Sequence, residues 1–109
     1  MELYGNDLKN ISMTRGDSES LTVKGLSLVH GDIIYMTART NVNSVTKELE
    51  KKITEFVNGE AVIGITPEDT KNMRFMTYVY DIQLTRADGS VTTIIKEHEL
   101  KIEGEVTYD

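Results

Sequence analysis

MTYVYDIQLTRADGSVTTII, residues 76–95, sets Tyr78, Tyr80, Ile82 and Leu84 against Val79, Asp81, Gln83 and Thr85 in strict alternation. A period of two places alternate side chains on opposite faces of an extended strand, whereas a helix would group its apolar residues at every third or fourth position. Ala87-Asp88-Gly89-Ser90 then interrupts the alternation with an Asp-Gly pair that tolerates positive φ, and Val91, Thr93 and Ile95 run back out. The stretch therefore predicts an antiparallel hairpin whose first strand, Met76 to Arg86, is central to a sheet.

The same pattern extends outward in both directions. Ile11 and Met13 alternate with Ser12 and Thr14 before Arg15-Gly16-Asp17, and Leu21 and Val23 alternate again before Lys24-Gly25, which predicts two strands paired around a turn. After Val29-His30-Gly31-Asp32, Ile34, Met36 and Ala38 share one face of a half-buried strand. Residues 45–54 fit either period, with Val45, Leu49 and Ile53 among good helix formers; charged side chains protect an exposed sheet edge, so an edge strand is expected. Asn58-Gly59 marks a tight turn into a strand carrying Ala61, Ile63 and Ile65. Thr66-Pro67-Glu68-Asp69 reads as a helix start, with Thr66 as cap and Asp69 answering its backbone donor, and predicts a single helical turn. Leu100, Ile102 and Val106 are expected to add a last strand. The fold class is then all-β: an immunoglobulin-like antiparallel β-sandwich of about seven or eight strands with one short helical turn. Residues 1–109 are expected to form one domain, with 1–8 a loose N-terminal segment.

Composition narrows the classes of function. A chain of 109 residues with 39% hydrophobic and 28% charged residues can bury one core without disulfides or metals. Twelve Lys and Arg against 18 Asp and Glu give a formal net charge of -6, which repels phosphate backbones and anionic lipid, and the longest basic run is Lys51-Lys52 beside Glu48 and Glu50. Neither nucleic acid nor membrane is an expected partner. There is no cysteine, hence no disulfide framework and no thiolate nucleophile. No segment approaches the ~20 apolar residues that would span a bilayer, and the N-terminus lacks the pattern of a secretory signal. Asn10-Ile11-Ser12 matches a glycosylation sequon, a three-residue pattern that is common by chance.

Chemistry-bearing constellations are sparse. His30 lies in a His-Gly-Asp turn and reads as a surface residue. His98 stands between Glu97 and Glu99, but neighbours in a strand point to opposite faces, and Glu97-His98-Glu99-Leu100 lacks the second histidine of a zinc-protease helix because position 102 is Ile102. No catalytic, cofactor-binding or metal-ligating residue is assigned, no cofactor is expected, and the chain is not read as an enzyme. Arg15-Gly16-Asp17 has the composition of an integrin-binding loop, yet a glycine turn with Asp17 serving backbone amides explains the same residues. Tyr78 and Tyr80 are expected in the core and not on a sugar-stacking platform.

The order of these motifs resembles that of tail and baseplate domains of phages and prophages, in particular the N-terminal β-sandwich of upper baseplate proteins of Gram-positive phages. The resemblance runs over about residues 9–103. It is carried by Met13-Thr14-Arg15-Gly16-Asp17, by Ile34-Tyr35-Met36-Thr37-Ala38-Arg39, by Ile63-Gly64-Ile65-Thr66-Pro67-Glu68-Asp69-Thr70, and by Tyr78-Val79-Tyr80-Asp81-Ile82-Gln83-Leu84 followed by Asp88-Gly89 and a strand reaching Lys96. The segment from Gly25 to Asp32 is shorter than such proteins often have, and a stand-alone subunit without an appended domain is expected. The resemblance implies a non-enzymatic structural protein of a phage-type particle, assembled in the bacterial cytoplasm and then part of the virion. Its implied partners are other phage structural proteins or copies of itself. The alternative is a carbohydrate-binding or cell-surface adhesion module in which exposed Tyr4, Tyr35 or Tyr108 would hold a sugar; 6% aromatic residues and no tryptophan weigh against it. Core tyrosines and an open strand edge favour assembly, and an exposed aromatic row favours sugar binding.

Overall fold

The computed structural model describes residues 2–4 and 9–104, which form eight strands and one short helix. In chain order these are β1 (Glu2–Tyr4), β2 (Ile11–Thr14), β3 (Glu19–Lys24), β4 (Ile33–Arg39), β5 (Leu49–Ile53), β6 (Ala61–Ile65), α1 (Pro67–Thr70), β7 (Thr77–Thr85) and β8 (Val91–Glu103). Two sheets face each other, one of three strands in the order β1-β3-β6 and one of five in the order β2-β8-β7-β4-β5. β7 is the middle strand of the larger sheet and β5 one of its edges, both as the sequence predicts.

Inward residues from both sheets make one core. Leu21, Val23, Ala61, Ile63 and Ile65 of the small sheet meet Ile34, Met36, Ala38, Tyr78, Tyr80, Ile82 and Leu84 of the large one, all buried. Alternation holds throughout: every second residue of β4, β6 and β7 is buried. Fully burying a side chain of this size contributes roughly 1.5–3 kcal/mol relative to leaving it exposed, so a slip by one residue in any of these strands would be prohibitive.

Three local expectations are revised. β2 and β3 do not pair with each other; β2 lies parallel to β8 in the large sheet, while β3 pairs antiparallel with β6 in the small one. The Arg15-Gly16-Asp17 turn therefore carries the chain from one sheet to the other. The amide of Arg15 bonds the carbonyl of Glu103, and that of Gly16 bonds the Thr70 hydroxyl, which draws the two segments apart. Second, the N-terminal segment is not loose throughout: Glu2–Tyr4 runs parallel to β3, held by the fully buried Leu3 and an ion pair between Glu2 and Lys24 at 3.0 Å. Third, the second arm of the hairpin and the expected last strand are one continuous β8. Its pairing with β7 slips between Tyr80 and Ile82 and again between Ile82 and Gln83, so β8 carries two extra residues. Ile95 and Leu100, an odd number apart, consequently both face inward. The pairs made by β1 and β2 are parallel and the other four are antiparallel. Val106 lies outside the described residues.

Two turns follow their sequence signals closely. Asn58 and Gly59 have φ of 53° and 73°, the two positive values a two-residue hairpin turn requires, between bridged Val57 and Glu60. Thr66 caps α1 through a reciprocal capping box with Asp69, and Pro67 fills the first turn. Partial burial pushes the Asp69 carboxyl up. The amide of Thr66, the ammonium of Lys51 at 2.9 Å and the Thr66 hydroxyl outweigh it and hold the group below its ordinary value.

Candidate interaction surfaces

The residues singled out from the sequence scatter over the molecule. His30 is exposed in its turn. His98 is half-buried on β8 with Nδ1 2.7 Å from the carbonyl of Lys96. The amide of Glu99 donates to Asn10 Oδ1, which ties β8 to the residue before β2. Among the described residues no three His, Asp or Glu side chains come together as metal ligands would.

The Arg15-Gly16-Asp17 turn does not present its arginine. The guanidinium of Arg15 lies 4.1 Å from the centre of the Phe75 ring and reaches the carbonyl of Met73 at 3.5 Å, while the amide of Asp17 closes the turn on the carbonyl of Thr14. Gly16, with φ of 91°, supplies the positive angle. The turn is a structural joint, closed by the Asp17 amide and not, as expected, by its carboxylate.

The tyrosines divide the same way. Tyr78 and Tyr80 are buried in the core, their hydroxyls donating to the carbonyls of Arg74 at 3.0 Å and Lys9 at 2.6 Å. Tyr4 faces outward on the small sheet, and half-buried Tyr35 faces outward on the large one beside Lys52, 5.9 Å from its ring centre. The two outward rings stand on opposite faces of the sandwich and form no common platform. Tyr108 lies outside the described residues.

A buried acidic group that sequence reasoning passed over is Asp32. Its carboxylate accepts from the amide of Val29 at 3.1 Å, from that of Ala87 at 3.0 Å and from the Arg86 guanidinium at 2.8 Å. The Val29 amide lowers its pKa most; burial opposes this, and Arg86 and Ala87 add to it, leaving the carboxyl below its ordinary value. Arg86 also donates to the carbonyl of Leu26, so one ion pair locks the turn before β4 to the turn after β7. Both carboxylate oxygens of Asp32 are engaged by groups of the fold, which makes the lock structural. The clue in the sequence was Gly31-Asp32 opposite Arg86-Ala87, visible only once β4 and β7 are paired.

On the outer face of the large sheet Asp81 sits at the slip in the β7–β8 register. Burial raises its pKa; Arg39 pulls it down and Glu97 pushes it further up, the net direction being upward. Asp81 lines a depression of about 80 Å³ and two wider, open grooves of about 440 Å³ and 330 Å³; the side chains along them are mainly polar or charged, unlike the mostly apolar lining of small-molecule sites. A larger open groove of about 470 Å³ runs past Tyr4, Leu26, Leu84 and Ile94, but its one cationic group, Arg86, is already engaged by Asp32 and Leu26.

What distinguishes the surface is its strand edges. β1 and β6 bound the small sheet and β2 and β5 the large one. β5 is protected by Glu50, Lys51 and Lys52, whereas β6, Ala-Val-Ile-Gly-Ile, carries no charge.

These features define the class: an all-β, two-sheet sandwich with, among the described residues, one short helical turn. Within that class the fold is similar to the solved structure of the N-terminal domain of phage TP901-1 ORF48, with a TM-score of 0.51 at 10% sequence identity over 95% of this chain and 94% of that one. No family model matches the sequence, and no curated protein matches it.

Proposed function

We propose that this chain is a non-enzymatic structural component of a phage or prophage particle, in its tail or baseplate. In this reading residues 1–109 act as one β-sandwich domain that works through contacts with other particle proteins or with copies of itself. The observation that carries the proposal is the likeness in fold, over 95% of the chain, to a phage protein domain. It agrees with the tail and baseplate resemblance of the motif order. The inward tyrosines and the uncharged β6 edge support a role in assembly over one in sugar binding. Assembly takes place in the bacterial cytoplasm, after which the chain is part of the particle; neither nucleic acid nor membrane is a partner of a chain with a net charge of -6.

Recovery of tagged protein from an induced lysogen, with mass spectrometry of what co-purifies, tests the proposal. Tail or baseplate proteins in fixed ratio are expected. Recovery of cell-wall glycans alone would overturn it and establish the adhesion module.

A further inference from the structure

We propose that the depression beside Asp81, on the outer face of the five-stranded sheet, seats one lysine side chain of a neighbouring particle protein. Asp81 lies on β7, the middle strand, where the register with β8 slips, and irregularities of this kind re-aim side chains. Arg39 of β4 and Glu97 of β8 flank it, and Val42 and Val79 give the same depression of about 80 Å³ an apolar wall.

Three features point to a cation from outside the chain. First, Asp81 is half-buried, yet among the described residues its carboxylate accepts no hydrogen bond and closes no ion pair; Arg39 and Glu97 act on it through their charges alone. Asp32 and Asp69 are instead closed by donors of the fold. A carboxylate partly withdrawn from water without a donor is costly, and a partner's cation offsets that cost. Second, two carboxylates against one guanidinium leave the depression one negative charge in excess. The chain's own lysines do not fill it: Lys47 is paired with Glu50 at 2.6 Å, and Lys96 lines the adjoining groove. Third, the methylenes of a lysine pack on Val42, 54% exposed, and on Val79 while its head reaches the carboxylates.

The carboxylates stand on different strands, an arrangement met by a compact ammonium with three donors; the planar fork of arginine suits one carboxylate taken end-on. Wider open grooves of about 440 Å³ and 330 Å³ adjoin the depression at Asp81 and leave room for the main chain that carries the lysine. A net charge of -6 repels a second copy and attracts a basic partner. This inference rests on the assembly reading and names the chemistry of the contact.

Tagged wild-type, Asp81→Asn, Glu97→Gln and Glu55→Gln chains, each used to recover tail or baseplate proteins from an induced lysogen, test it. Glu55 is exposed beyond the far end of β5, so its change removes the same charge away from the depression. Asp81→Asn and Glu97→Gln are each expected to lower recovery of one particle protein by about ten-fold or more, with melting curves no lower than that of the wild type, while Glu55→Gln recovers it in full. Carbodiimide coupling of the wild-type complex should join Asp81 or Glu97 to a lysine of that protein, located by mass spectrometry. Undiminished recovery in both variants overturns the proposal. So does an equal loss in Glu55→Gln, which would mean that net charge alone holds the partner, or coupling that joins neither carboxylate to a lysine. Glu97→Gln, at an exposed position, reads the contact even if Asp81→Asn melts early. If the wild type recovers no particle protein, the assembly reading falls and this inference with it; if wild type and variants recover it equally, only the lysine site falls.

Discussion

Alkaline pH is expected to destabilise this fold through one phenol. Tyr80 is 1% exposed, its hydroxyl donates to the carbonyl of Lys9 at 2.6 Å, and burial pushes its pKa up from 10.0 to about 12. Below pH ~10 the phenol is neutral in both states and its contribution is complete; between the unfolded and folded values only the unfolded chain releases the proton, and stability is lost as pH rises. Two units of difference correspond to about 2.7 kcal/mol, roughly half of it gone by pH 11. Tyr80→Phe removes the hydrogen bond, at a cost of ~1 kcal/mol near neutrality, and with it the titrating group. The wild type should therefore be the more stable at about pH 8, the two should meet near pH ~11, and the variant should be the more stable above that. Urea unfolding of both chains across this range, followed by far-ultraviolet circular dichroism, reads the difference directly and cancels the other tyrosines and lysines. Stability curves that run parallel from pH ~8 to pH ~11.5 would refute the argument, because they would mean that the Tyr80 phenol ionises equally in both states.

Three further outcomes are expected. Gly31→Ala should destabilise by ~1–3 kcal/mol in urea unfolding, because Gly31 has φ of 97° and its Cβ would come within 2.9 Å of that of Ala87; Ala87→Gly in the same chain should recover part of the loss. Ile82→Ala should cost about 2–5 kcal/mol and Val45→Ala no more than ~0.5 kcal/mol by the same measurement, since the first is fully buried and the second 92% exposed. Asp32→Asn should lower stability near neutral pH, with the gap to the wild type closing in acid. The Asp32 carboxyl is held below its ordinary 3.8, so its contribution is present above that value and disappears as pH falls through the lower, folded one. A gap that stays constant through acid titration would show that the charge of Asp32 is not what locks the turns.

Legibility in the sequence followed the range of the forces involved. The β7–β8 hairpin was readable because alternation and the Asp88-Gly89 turn are local, as were the capped turn at Thr66 and the Asn58-Gly59 bend. β5 was readable through its charges, which only an edge tolerates. The partners of β2 and β3 were not, because what separates them is a hydrogen bond from Gly16 to Thr70, 54 residues away. The unity of β8 was hidden by its two extra residues, which shift the phase of alternation so that one strand reads as two. β1 offers a single inward side chain, Leu3, too little to carry any period. Of the candidate surfaces, the inward placement of Tyr78 and Tyr80 was legible from the face they share with Ile82 and Leu84. The position of β6 at the end of its sheet was not, since a strand becomes an edge only when the sheet order is known.

The parallel seating of β2 against β8 has a consequence for synthesis. Ile11 pairs with Leu100 and Met13 with Ile102, and the amide of Glu99 meets the Asn10 side chain 89 positions earlier. Residues 11–14 thus wait for a partner strand made much later in the same chain. Until residues 99–103 emerge, Ile11 and Met13 have no neighbouring strand, and the β7–β8 hairpin that receives them can organise through contacts close along the chain. Completion of the larger sheet therefore waits until residues 99–103 of β8 have emerged.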